Sequence, residues 1–198
     1  MRRSWTGVDP AAIRPGDLLL VKTPRLAYGF GRWFARHPYD HVGVVASGGQ
    51  VVNVVKPAAV LTPLSRMLAP VRKPVLMRPS FRSDEGRARF VGALEALVGC
   101  QFDMARAWTL LAAVLLKQFS GLRVPLRPPP PADGRWVCSD AVLVHLLKHV
   151  AGFEEIRALP LDWNQLRCGT INDFFRIARE RPDLLQRIDL PDGRDGAG

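Results

Sequence analysis

Residues 41–55 read HVGVVASGGQVVNVV, and the fold turns on them. Two runs of β-branched residues flank Ser47-Gly48-Gly49. Small, turn-forming residues between two such runs are the signature of a hairpin, so His41–Ala46 and Val51–Val55 read as paired antiparallel strands. Each run carries a single polar side chain, His41 and Asn53. A returning strand brings the two to the same neighbourhood, as approximate cross-strand neighbours.

Working outward, Asp17–Lys22 (DLLLVK) follows the Pro15-Gly16 turn and reads as a buried strand, as does Pro74–Arg78 (PVLMR). Arg25–Arg36 reads as a short helix and Leu64–Leu68 as one helical turn. Ser83 reads as an N-cap, followed by apolar residues at Phe90, Val91, Leu94, Leu97 and Val98 in helical period. Further helices are expected over Asp103–Phe119, over Cys138–Val150 with Gly152 ending it, and from an Asn172 cap to about Arg181. Ser120–Arg135 contains four consecutive prolines, Pro128–Pro131, and reads as an exposed loop. Strands first and helices afterwards give an α+β class: a small antiparallel sheet with helices packed on it. Residues 1–190 are expected to form a single domain, with 191–198 a disordered tail.

The chain has 198 residues, 47% hydrophobic and 23% charged. These values exclude a disordered chain and a multispan membrane protein. The most apolar stretch, Ala107–Leu116, is too short to span a bilayer. The formal charge of +10 is uneven: residues 1–99 hold 15 basic and 6 acidic side chains, residues 100–198 hold 13 and 12. A basic half can meet anionic lipid, nucleic acid or an acidic polymer, or can reflect no more than a genome's preference for Arg. No helix-turn-helix, RNP-like or zinc-finger pattern accompanies it, so no specific nucleic-acid partner is expected. Three cysteines at unrelated spacings suit neither a disulfide framework nor a metal site, which favours a reduced compartment. With no signal-peptide pattern, the expected location is cytoplasmic, with peripheral contact to the inner membrane as an option.

Cys138 is the residue with chemistry in its setting. It follows the proline-rich loop and opens an apolar helix, where the helix dipole and free N–H groups favour thiolate. A free cysteine is otherwise most often a small buried hydrophobe, and Cys100 and Cys168 carry only that reading. A thiol nucleophile needs a base. His145 and His149 share a helix face but lie two or more turns from Cys138 along their own helix, and no third metal ligand is near. His37 falls in a polar stretch. His41, a polar ring opening an apolar strand, is the candidate base, and Asn53 the candidate orienter of that ring.

These pieces resemble the circularly permuted papain-like cysteine hydrolases of the YiiX/YaeF type, relatives of NlpC-type peptidases and of lecithin retinol acyltransferase-like proteins. The matching stretches are Arg14-Pro-Gly-Asp-Leu-Leu-Leu, Asp40-His-Val-Gly-Val-Val, Val51-Val-Asn-Val-Val-Lys-Pro with Leu61-Thr-Pro-Leu, Gly99-Cys-Gln-Phe-Asp, and Trp136-Val-Cys-Ser-Asp. They occur in family order over most of residues 13–150, and His41 precedes Cys138 by 97 residues, as the permuted order requires. The resemblance implies a permuted papain-like (NlpC-type) fold, a Cys138–His41–Asn53 triad, and acyl transfer on an amide or ester without metal or organic cofactor. Asn53 stands where such families often have Glu, Gln or His, and Asp140 follows Cys-Ser in place of Glu, in a supporting or capping role. The Cys138 N–H is the expected oxyanion donor; for a second, Tyr39 and Asp40 are open. The implied substrates are a small peptide or other amide, preferred, or a lipid acyl group. The Ala107–Leu116 helix, between Arg106 and Lys117, lines an acyl groove, touches a membrane surface, or packs behind the site. The rival reading is an inactive basic binding module using Arg25, Arg32 and Arg36.

Overall fold

The computed structural model describes residues 12–22, 38–69, 74–120, 134–161 and 169–189. The strands are β1 (Leu18–Val21), β2 (His41–Val45), β3 (Gln50–Val54), β4 (Ala59–Pro63), β5 (Val75–Pro79), β6 (Gln101–Phe102), β7 (Arg135–Trp136) and β8 (Leu185–Asp189). The α-helices are α1 (Leu64–Leu68), α2 (Asp84–Glu95), α3 (Met104–Ser120), α4 (Cys138–His149) and α5 (Ile171–Glu180).

Six strands form one antiparallel sheet in the order β4-β3-β2-β1-β5-β8, and β6 and β7 form a separate parallel pair. The hairpin read from residues 41–55 is present, with Ser47–Gly49 as a short 3-10 turn and a ladder at Val44–Val52 and Val45–Val51. The architecture is therefore α+β with an antiparallel sheet, as the pattern indicated.

The strands read as unbroken apolar runs because the sheet is covered on both sides. One face carries Leu18, Leu20, Val42, Val44, Val52, Val54 and Met77, packed against Phe90 and Leu94 of α2, Leu143 and Leu146 of α4, and Phe174 and Ile177 of α5. The other carries Leu19, Val21, Val51 and Leu76 beneath Met67 and Leu68 of α1. Gly43 belongs to this second face. A Cβ there would stand 2.6 Å from Val51 Cγ1 and 2.9 Å from Met67 Cε, so any side chain at that crossing would have to displace its neighbours. Asp17, 2% exposed, fixes the entry to β1. Its carboxylate accepts from the Arg14 N–H at 2.8 Å and from Arg78 Nε and Nη2, both at 2.8 Å, tying the Arg14–Asp17 turn to β5.

Several elements differ from the sequence expectation. β4 and β8, the two edge strands, carry no clear strand pattern; β4 ends in Pro63, which an edge position tolerates. β7 occupies Arg135–Trp136 and so begins on the last residue of the segment read as loop. The cap of α5 is Thr170, not Asn172: the Thr170 hydroxyl accepts from the Asp173 N–H while the Asp173 carboxylate accepts from the Thr170 N–H, a reciprocal capping box. Residues 153–158 form a 3-10 helix after Gly152, whose φ of 87° a side chain would resist. The Arg25–Arg36 helix, His37, the Pro128–Pro131 run, Cys168 and the 191–198 tail lie outside the described residues.

Candidate active site

The site forms where β2 and β3 part company. Val45 N–H donates to Asp17 O on the β1 side of β2, so by alternation the N–H groups of Val44 and Val42 face β3. The β2–β3 ladder ends at Val44–Val52 and does not reach Val42. The Val42 N–H donates instead to the sulfur of Cys138, the first residue of α4. The sulfur thus fills the gap at the end of the ladder.

His41, one residue further out, closes on the same sulfur. Extending the register sets Asn53 opposite Gly43, which makes His41 and Asn53 diagonal neighbours on one face. The His41 Nε2–H donates to Asn53 Oδ1 at 2.6 Å. The other ring nitrogen, Nδ1, is left for the thiol, with which His41 is hydrogen-bonded. The three residues singled out in the sequence, Cys138, His41 and Asn53, are therefore brought together. Cys138 and His41 are both buried and Asn53 is half-buried.

Burial alone would push the Cys138 thiol up, yet its pKa lies below the ordinary thiol value. The facing His41 charge and hydrogen bond, then the N–H groups of Val42 and Ser139, outweigh desolvation. For His41, burial acts downward and is likewise overcome, by Cys138 through charge and hydrogen bond, then by Asn53 and Asp40, so its pKa is raised. Both directions favour a thiolate–imidazolium pair. The helix contributes as well: Val137 is the N-cap of α4 and makes no side-chain cap bond, and in the first turn the Ser139 N–H donates to the sulfur itself, so the helix start favours the thiolate.

A buried network holds the first turn of α4 in place. Arg106 on α3 and Asp140 on α4 are 1% and 0% exposed and paired through Nε at 3.0 Å and Nη2 at 2.9 Å. Asp103 Oδ1 accepts from the Arg106 N–H. Gly169 is gripped on both sides, its N–H donating to Asp140 Oδ1 at 3.1 Å and its carbonyl accepting from Ser139 Oγ at 2.6 Å. A Cβ on Gly169 would lie 2.8 Å from the Ser139 carbonyl oxygen. Asp140 accordingly supports the thiol's helix without facing the thiol itself. Neither Arg106 nor Gly169 was legible as a site residue. Arg106 sits in an apolar helix, where a lone cation is a weak signal of a buried partner.

The remaining candidates stand apart. His145 donates Nδ1–H to the Ala141 carbonyl at 2.8 Å and stacks on His149, with ring centroids 5.9 Å apart, against the edge of Trp136. Cys100 is half-buried against the main core. Tyr39 stacks on Phe175 at 5.4 Å. Thr62 is an addition: its Oγ1 accepts from Asn53 Nδ2 at 3.3 Å. Trp108 on α3 is 64% exposed. Among the described residues, no helix is long and apolar enough to cross a membrane.

No protein-family model matches the chain, and no curated protein does. Five chains among solved structures match. One of these is the metalloprotein YiiX from Escherichia coli O157:H7, a DUF1105 protein, with a TM-score of 0.51 and 13% identity over 90% of this chain and 89% of that chain. This likeness is one of fold, and it agrees with the YiiX part of the sequence resemblance. YiiX is described as a metalloprotein. Among the described residues of the present chain, no group of three or more His, Cys, Asp and Glu is placed to hold a metal ion.

Proposed function

We propose that the protein is a thiol-dependent acyl hydrolase or acyltransferase of the permuted papain-like type, acting on an amide in preference to an ester. One observation carries the reading: a buried thiol at a helix N-terminus touches an imidazole whose far nitrogen is held by an amide oxygen at 2.6 Å. A structural cysteine has no use for a hydrogen-bonded histidine, and a structural histidine has no use for a lowered thiol pKa.

In this mechanism the Cys138 thiolate attacks the substrate carbonyl and forms the C–S bond. The tetrahedral oxyanion is met by the Cys138 N–H at the start of α4. The His41 imidazolium gives its Nδ1 proton to the departing amine or alcohol as the C–N or C–O bond breaks. Neutral His41 then takes a proton from water, or from an acceptor alcohol or amine, which attacks the thioester and releases Cys138. Asn53 holds the ring through its Nε2–H throughout.

The test is a panel of amide and ester acyl donors presented to the wild-type protein and to Cys138→Ala. Turnover confined to the wild type, with Cys138 the residue alkylated by iodoacetamide near neutral pH, is the expected result. Labelling at Cys100 instead, or equal turnover by both proteins, refutes the proposal.

A further inference from the structure

β4 was not legible as a strand, yet it supplies the outermost member of the hydrogen-bond chain that starts at the sulfur. Thr62 lies opposite Val51 and Asn53 opposite Val60, so Thr62 is the diagonal neighbour of Asn53 on the same face of the sheet. Its Oγ1 accepts from Asn53 Nδ2 at 3.3 Å, while Oδ1 of the same amide accepts from His41 Nε2 at 2.6 Å. The amide is thereby tied at both ends, across β2, β3 and β4. An asparagine side chain is otherwise loose, since its terminal torsion is broad and lacks sharp wells. With one end released, the amide swings about that torsion and the ring loses a fixed acceptor.

We propose that Thr62 is a positioning residue for the site: by holding Asn53 Nδ2 it keeps Oδ1 aimed at His41 and so holds the imidazole against Cys138. This rests on the reading of Cys138 and His41 as a reactive pair. The charge it governs is local. Among the described residues, Cys138 and Asp40 are the charged groups that act on His41, and His41 is the one that acts on Cys138. Arg106 and Asp140 behind the helix form a pair of cancelling charge. A loosened amide stabilises imidazolium less, which stabilises thiolate less, so thiolate forms at higher pH.

The experiment compares wild type, Thr62→Val and Thr62→Ser in the full chain. Valine matches the shape and strand preference of threonine, so the fold is kept and the hydroxyl alone is lost. Two readouts are taken: the rate of iodoacetamide alkylation of Cys138 against pH, and the 15N chemical shifts of the His41 ring, assigned with His41→Ala. For Thr62→Val the alkylation rate below the wild-type midpoint should fall about three- to tenfold, the scale of one net hydrogen bond. Its midpoint should move upward, and the His41 15N shifts should move with it. Thr62→Ser, which restores the hydroxyl, should recover both. Wild-type profiles and shifts in Thr62→Val overturn the inference. So does a Thr62→Ser protein that behaves like Thr62→Val, which would assign the effect to the lost methyl. Neither readout needs a substrate. An acyl-donor panel that is never turned over, with these shifts present, would therefore refute the enzymatic reading and leave Thr62 in its role.

Discussion

Arg106→Met should be among the most damaging single substitutions outside the thiol and its partners. The guanidinium is 1% exposed and pairs with a carboxylate that is 0% exposed. Removing one member of such a pair leaves the other charge buried, at a cost of about 3–5 kcal/mol. Asp140 keeps the Gly169 N–H as a donor in that variant, which places the expectation toward the lower end, about 3 kcal/mol. With a urea slope of about 2 kcal/mol per M, the unfolding midpoint should fall by about 1.5 M. Arg106→Met/Asp140→Asn removes both charges, and its Asn can still accept from Gly169. It should recover most of the loss, because a neutral buried pair carries no uncompensated ion. The assay is equilibrium urea unfolding at neutral pH for the wild type, both single variants and the double variant. Interaction energy near zero across that cycle, or an Arg106→Met midpoint within about 0.3 M of wild type, would refute the argument that this pair anchors α4.

Three further outcomes follow from the geometry. Asn53→Ala should lower turnover by about tenfold or more through loss of a hydrogen bond to a charged ring, yet less than Cys138→Ala or His41→Ala; Asn53→Asp should raise the His41 pKa and carry the basic limb of the pH–rate profile upward. Gly169→Ala should destabilise by about 1–3 kcal/mol and slow Cys138 alkylation, because its Cβ presses on the Ser139 carbonyl at 2.8 Å in the first turn of α4; circular dichroism melts and labelling rates read both effects. Burial pushes the pKa of His145 down against the opposing Ala141 hydrogen bond, and Lys148 adds to the fall. The neutral ring is thus favoured by folding. Its stability is full above the unfolded value of about 6.5 and is lost as pH drops through that value toward the lower folded one. Urea midpoints at pH 8 and 5.5 should show a smaller acid loss in His145→Gln than in wild type.

What the sequence determined by itself was local or periodic. The 41–55 hairpin, the Ser83 cap of α2 and the helix opened by Cys138 depend on residues within a few positions of one another, and those interactions are written in order along the chain. The pairing of His41 with Asn53 was also within reach, because twelve residues and one turn separate them. Its diagonal register was not, since the number of residues in the turn decides which side chains share a face. Tertiary structure alone decided the rest. β4 and β8 are strands because β3 and β5 offer them open edges, not because their own residues demand it. Arg106 meets Asp140 across 34 residues, and Arg78 meets Asp17 across 61. No spacing rule links such positions, because a charge is buried only when the fold delivers its partner. The same holds for the sulfur of Cys138. A helix N-terminus made it a candidate thiolate, but only the early end of the β2–β3 ladder freed the Val42 N–H to receive it.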